Sequence, residues 1–126
     1  MKNYKDLDIY KMAYQLSIKV HNMSLKLPKF ELYEQGSQIR RSTKSIKDTI
    51  AEGYGRRKYK ADFVKFLTYA QASCDEATSQ LESINELYKD IVPDSSNYLD
   101  DYNILGAKIN KFIQYVESSW KTTSNK

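Results

Sequence analysis

One long stretch of three-four spacing constrains the fold of this chain more than any other feature. Between Phe63 and Tyr88, apolar side chains recur at steps of three and four residues, close to the heptad spacing of packed helices. The residues that hold this spacing are Phe63, Phe66, Leu67, Ala70, Cys74, Ala77, Leu81, Ile84 and Tyr88. A helix with such a stripe must bury it against other helices. The pattern therefore predicts a central helix from about Ala61 to Asp90.

Three shorter apolar stripes with the same spacing lie on either side of this segment. They are Ile9, Met12, Ala13, Leu16, Val20, Met23 and Leu27; then Ile39, Thr43, Ile46 and Ile50; and finally Tyr98, Tyr102, Leu105, Ile109, Phe112, Val116 and Trp120. Each stripe predicts one amphipathic helix. Pro28 is expected to end the first helix, and Gly53 to end the second, Ser37 to Glu52, by adopting a positive φ. The run Asp94 to Ser96 offers N-cap residues for the last helix.

The whole pattern fits one domain. A chain of 126 residues is long enough to bury most of the surface that it exposes when unfolded. No segment alternates apolar and polar residues for long enough to indicate a strand, and the short connectors favour antiparallel neighbours. We predict an all-α, antiparallel up-down four-helix bundle over residues 1–121, with a frayed C-terminal tail at 122–126.

Positive charge is concentrated in one part of the chain. The formal net charge is +4, and the segment Gly36 to Lys65 contains nine basic residues against three acidic ones. Such a local excess favours an anionic partner, for example a nucleic acid. The N-terminal segment has no leader-like apolar run, and no stretch approaches the roughly 18 apolar residues of a membrane span. We therefore expect a cytoplasmic protein with no membrane partner.

The residue types that catalysis and cofactor binding require are scarce. His21 is the only histidine, so one chain cannot supply the paired histidines of a di-iron bundle or of bis-histidine haem. The G-x-S-x-G motif is absent. Gly53 and Gly55 follow a helix, whereas the glycines of a phosphate-binding loop open one. We therefore expect no enzymatic activity, no cofactor and no metal.

Two further features have more than one interpretation. Asp48, Glu52 and Asp62 could hold a Mg²⁺ ion for hydrolysis, but charges one turn apart are also common on a solvated helix. Cys74 is the only cysteine, so no disulfide can form within the chain. It lies in the apolar stripe of the central helix, and this position favours a small buried hydrophobe over a reactive thiol.

Four segments, in order along the chain, resemble a known family. They are YKDLDIY at Tyr4–Tyr10, LPKFE at Leu27–Glu31, SQIRRS at Ser37–Ser42 and SIKDTIAEGYGR at Ser45–Arg56. These segments are similar to the four-helix-bundle family encoded in 23S rRNA intervening sequences. Relatives of that family include the accessory variability proteins of diversity-generating retroelements. Thr49 and Ala72 depart from the Asn and Gly that are usual at these positions.

The resemblance implies a small bacterial bundle that assembles into a ring, with a pentamer favoured. In the retroelement branch it implies binding to RNA or DNA and to a reverse transcriptase. Another protein partner is the alternative. The resemblance does not imply catalysis.

Basic residues on and after the second helix form the candidate nucleic-acid-binding set. At about 100° per residue, Arg40, Lys44 and Lys47 fall on one flank of the buried stripe. The basic residues that follow the helix would extend this strip along a phosphate backbone, and two interleaved tyrosines could stack on unpaired bases. The complete set is Arg40, Lys44, Lys47, Tyr54, Arg56, Arg57, Lys58, Tyr59 and Lys60.

The predicted helices differ in length, and this difference favours assembly. At ~1.5 Å per residue the central helix would be ~45 Å long and the second only ~24 Å. Aromatic side chains such as Tyr69 and Tyr88 would then stay partly exposed unless another subunit covers them. A repeated head-to-tail contact closes into a ring, and a dimer or a compact monomer is the rival. The alternative function is a scaffold or protein-interaction ring in which the basic strip is incidental.

Overall fold

Four α-helices dominate the computed structural model, which describes residues 3–121. They are α1 (Asp8–Ser24), α2 (Gln35–Gly55), α3 (Lys60–Tyr88) and α4 (Ser95–Ser119), with short 3₁₀ turns at Tyr4–Asp6 and Lys29–Glu31. Each helix packs against the next along the chain, and α1 also contacts α4. No strand occurs within the described range. The prediction of an all-α, up-down four-helix bundle is confirmed. The predicted tail, 122–126, lies outside the described residues.

The core follows the predicted stripes. All four helices contribute side chains that are almost completely buried, and the largest of them include Val20, Met23, Ile39, Ile46, Ile50, Phe63, Leu67, Leu81, Ile84, Tyr102, Leu105 and Ile109. Burying one side chain of this size contributes about 1.5–3 kcal/mol. Cys74 is also buried, and its thiol donates to the Tyr102 carbonyl at 3.4 Å. Burial raises the pKa of Cys74 to about 12, so the predicted buried hydrophobe is confirmed.

The prediction that Gly53 caps the second helix is wrong. In the described residues no glycine has a positive φ, and α2 continues through Gly53 to Gly55. The structure gives Gly53 a packing role instead. A Cβ atom added there would lie 3.0 Å from the Phe66 Cβ and 3.5 Å from the Phe63 ring. Glycine therefore lets the end of α2 approach the start of α3.

The predicted end of the first helix is also corrected, whereas the predicted N-cap of the last helix is confirmed in position only. Helix α1 ends at Ser24, before Pro28, and Pro28 instead precedes the 3₁₀ turn Lys29–Glu31. Asp94 occupies the N-cap position of α4, but its side chain makes no capping hydrogen bond. The Ser95 hydroxyl donates to the Asn85 side chain at 2.9 Å and so ties the start of α4 to α3.

A buried carboxylate ties the first connector to the end of α3. Glu31 accepts a hydrogen bond from the Tyr88 hydroxyl at 2.5 Å and another from the Gln35 side chain at 3.0 Å. The bond from Tyr88 lowers the pKa of Glu31 despite its burial. Tyr88 was expected to stay partly exposed. It is half-buried, and its hydroxyl is hydrogen-bonded to Glu31 within the chain. The bond brings the connector before α2 and the end of α3 to the same end of the bundle.

Candidate nucleic-acid interface

The turn between α2 and α3, together with the first residue of α3, carries four cations in five residues. We call Arg56, Arg57, Lys58, Tyr59 and Lys60 the basic rim. Backbone hydrogen bonds hold the turn closed: Arg56 N–H donates to the Gly53 carbonyl at 3.0 Å, and Tyr59 N–H donates to the Arg56 carbonyl at 2.9 Å. The rim is therefore a short ordered connection at the end of the bundle opposite the Glu31–Tyr88 contact.

Arg56 is positioned by an aromatic ring and two carboxylates. Its guanidinium carbon lies 4.6 Å from the centre of the Phe66 ring. Guanidinium nitrogens lie 3.5 Å from a Glu52 oxygen and 3.7 Å from an Asp62 oxygen. About half of the Arg56 side chain is exposed, so these ion pairs are weak and screened by solvent. Arg56 is held in place while part of its charge is compensated.

Arg57 lies on the ring of Tyr54. The guanidinium carbon is 4.0 Å from the Tyr54 ring centre, and the guanidinium donates to the Tyr54 carbonyl at 2.9 Å. Tyr54 itself is only 4% exposed and packs edge-on against Phe63. The predicted role of Tyr54 in stacking on a base is therefore corrected, because its ring is covered within the chain. Tyr54 instead orients Arg57.

The remaining members of the rim are more open. Tyr59 is 58% exposed, and the Lys58 ammonium lies 5.7 Å from the centre of its ring. Lys60 begins α3 and is half-buried. Tyr59 is thus the predicted stacking residue that the structure leaves accessible.

The three predicted residues on the flank of α2 differ in how accessible their charged groups are to a phosphate. Arg40 donates to the Ser24 hydroxyl at 2.8 Å and to the Leu32 carbonyl at 2.7 Å. These bonds join α2 to the end of α1 and the first connector and give Arg40 a structural role, whereas its contact with a phosphate stays a prediction. Lys44 is exposed.

The ammonium of Lys47 also has a partner within the chain. Its ammonium lies 2.7 Å from an Asp48 oxygen, and the side chain is mostly covered. The hydrogen bond to Asp48 raises the pKa of Lys47, and the neighbouring Tyr10 and Tyr14 hydroxyls act in the same direction. These two tyrosines were not predicted from the sequence as part of the candidate site. Their spacing of four residues on the flank of the first stripe is the signal that could have identified them.

The alternative Mg²⁺ site is not supported by the positions of its carboxylates. Asp48 pairs with Lys47, whereas Glu52 and Asp62 both flank Arg56. Between residues 3 and 121, no three His, Cys, Asp or Glu side chains are close enough together to hold a metal ion.

In the part of the chain that the structure describes, no helix has both the length and the hydropathy needed to cross a bilayer.

Known proteins resemble this chain in sequence pattern and in fold. The family model described as 23S rRNA-intervening sequence protein matches residues 5–111. A solved structure from Bacteroides thetaiotaomicron, described as a protein with unknown function from the S23 ribosomal protein family, superposes with a TM-score of 0.70. The two chains are 20% identical, and the similarity covers 84% of this chain and 98% of the other. At that identity the likeness shows the fold alone. No curated protein matches the chain significantly.

Proposed function

Because the chain belongs to the family of 23S rRNA-intervening sequence proteins, we propose that it is a non-enzymatic bundle that binds the phosphate backbone of RNA or DNA. The observation that carries this proposal is the basic rim with its two supported arginines. Phe66 lies beneath Arg56, and Tyr54 lies beneath Arg57. Each guanidinium has five N–H donors, so donors remain for a phosphate after the internal bonds are made.

Support by aromatic rings favours phosphate binding for an energetic reason. A free arginine loses rotamer entropy when it is immobilised at an interface, at a cost of about 0.5–1.5 kcal/mol for each side chain. The contact of Arg56 with the Phe66 ring, and those of Arg57 with the Tyr54 ring and carbonyl, reduce that loss because they restrict the rotamers of each side chain before binding. Neutralising phosphates also releases counterions, so the interaction should weaken steeply with salt.

The first prediction concerns charge reversal in the basic rim. Changing Arg56, Arg57, Lys58 and Lys60 to Glu should weaken binding to RNA or DNA at least tenfold at low salt, because phosphate contacts become repulsive. For the wild type, the log-log slope of affinity against salt should be roughly −0.7 to −0.9 for each phosphate neutralised. Fluorescence anisotropy with labelled oligonucleotides measures both quantities, and circular dichroism checks that the variant remains folded.

A matched control separates local contacts from net charge. Four exposed lysines elsewhere on the surface, Lys19, Lys26, Lys29 and Lys89, provide the same change of charge when they are replaced by Glu. This control variant should bind more tightly than the rim variant. An equal loss in the two variants, or no binding by the wild type at low salt, would contradict the proposal.

We extend the proposal to a closed ring, with five subunits favoured. Support comes from large apolar side chains that one subunit leaves about half-exposed on α3 and α4, namely Tyr69, Ile104 and Tyr115. Such surfaces are commonly covered by another copy. A ring would also repeat the basic rim and add several modest phosphate contacts together.

The second prediction is the mass of this assembly. Light scattering coupled to size exclusion should give about five times the 14.7 kDa of one chain. A mass of one chain across micromolar concentrations would exclude the ring, and a mass of two chains would establish the rival dimer.

The second candidate function is a scaffold or protein-interaction ring. It is favoured by exposed apolar side chains near the end opposite the rim, which are Leu25, Phe30, Tyr33, Leu87 and Ile91. A reverse transcriptase or another protein partner stays a prediction from the family resemblance. The cytoplasmic location stays a prediction from the sequence. Salt-sensitive binding of nucleic acid distinguishes this function from the first one.

A further inference from the structure

Three tyrosine rings follow one another from the first 3₁₀ turn along α1. The centres of the Tyr4 and Tyr10 rings are 4.8 Å apart in an edge-to-face contact. The Tyr10 and Tyr14 rings are 6.2 Å apart and nearly parallel, with 21° between their planes. Tyr4 and Tyr10 are half-buried, but 47% of Tyr14 is exposed. The last ring of the series is therefore supported on one side and open to solvent.

Positive side chains of α2 lie beside this exposed ring. The bond between Arg40 and Ser24 establishes which flank of α2 faces α1. Lys44 and Lys47 lie on that same flank, because they follow Arg40 by four and seven residues. Lys47 is close enough to the Tyr10 and Tyr14 hydroxyls for all three groups to interact electrostatically. An aromatic face and two cations, of which Lys47 is also paired with Asp48, thus share one surface between α1 and α2.

This surface leads toward the basic rim. Lys47 precedes the end of α2 at Gly55 by eight residues, which corresponds to about 12 Å along the helix axis. Arg57 follows just beyond that end, on the Tyr54 ring. A short extended strand of nucleic acid can cover both the exposed ring and the rim.

We propose that Tyr14 stacks on an unpaired base of single-stranded RNA or DNA whose backbone follows Lys44 and Lys47 toward the basic rim. This inference rests on the proposed function and adds the form of nucleic acid that is bound. A single strand fits better than a duplex, since its bases present free faces to an aromatic ring, whereas those of a duplex are stacked on their neighbours. The Tyr10 ring holds Tyr14 in place, which lowers the entropic cost of stacking.

The test compares three single variants against two probes. Tyr14→Leu removes the ring but keeps an apolar side chain, Tyr14→Phe keeps the ring, and Tyr33→Leu removes an exposed ring distant from the basic rim. The probes are oligothymidylate and a DNA duplex of equal length, measured by fluorescence anisotropy. Thermal melting checks that each variant is folded.

The expected pattern is specific to the single strand. Tyr14→Leu should weaken binding to oligothymidylate roughly tenfold, within the range for loss of one base-stacking contact. Its affinity for the duplex should change less than twofold. Tyr14→Phe and Tyr33→Leu should bind both probes like the wild type.

The outcomes distinguish this inference from the function on which it rests. Wild-type affinity of Tyr14→Leu for oligothymidylate, alongside lost binding in the rim variant, overturns the stacking site and leaves the proposed function standing. An equal loss for the duplex and the single strand also overturns the stacking site. Failure of the wild-type protein to bind either probe, or RNA strands of equal length, at low salt overturns both proposals.

Discussion

Ala77→Arg is expected to abolish cooperative folding of the bundle. Ala77 lies on α3 with none of its surface exposed, in the same buried row as Cys74 and Leu81. A charge buried there without a partner costs about 3–5 kcal/mol, and overpacking adds about 1–3 kcal/mol. Together these costs approach the total stability of a small domain, on the order of 5–15 kcal/mol. Circular dichroism should show no cooperative thermal transition in this variant.

The matched control is Asp75→Lys, two residues earlier on the same helix. Asp75 is exposed, so a lysine there remains solvated and should change the free energy of unfolding by no more than about 0.5 kcal/mol. A wild-type melting curve for Ala77→Arg would show that the orientation of α3 is not the one described. Loss of folding in both variants would mean that the helix tolerates no change of charge, and the burial argument would fail.

Gly53→Leu is expected to destabilise the protein by about 2 kcal/mol, because overpacking costs about 3 kcal/mol at its upper end. The gain in helix propensity from replacing glycine, about 1 kcal/mol, offsets only part of the clash. The clash is with the Cβ atom of Phe66, close to the α3 backbone, so a small rotation of one side chain cannot relieve it. The melting temperature should fall by roughly 8 °C.

Gly55→Leu is the matched control for this substitution. No atom lies within 4 Å of a Cβ added at Gly55, so the same change should leave the melting temperature unchanged or raise it slightly. Gly53→Leu should also weaken nucleic-acid binding, because Phe66 supports Arg56. Equal melting temperatures for the two variants would contradict the packing role of Gly53.

The misassigned tyrosine shows how a helix boundary error affects the interpretation of a site. Tyr54 follows Ile50 by four residues, so it continues the buried stripe of α2. Ending the helix at Glu52 concealed that relation and left Tyr54 assigned to an exposed loop. The error in the helix boundary came from Gly53, because a glycine in the sequence indicates a helix cap and a close approach between helices equally well. The distinction depends on Phe66, which lies on the next helix.

The bonding partners of Arg40 could not be predicted from the sequence for a related reason. The sequence correctly placed Arg40 on the same flank of α2 as Lys44 and Lys47, because the position of a residue along a helix determines the direction of its side chain. The guanidinium of Arg40 bonds to the Ser24 hydroxyl and to the Leu32 carbonyl, and both groups lie outside α2. Periodicity contains no information about such partners.

The sequence by itself determined the number of helices, the residues that each buries, and the concentration of positive charge after the second helix. These properties depend on composition and on the spacing of apolar residues. In a helix that spacing determines which side chains lie on the same face. The tertiary structure alone decided that Tyr54 orients Arg57, that Arg40 is occupied and that Tyr14 is exposed beside Lys47. Those facts depend on how closely neighbouring helices approach, and that distance is set by side chains remote in sequence, such as Gly53 and Phe66.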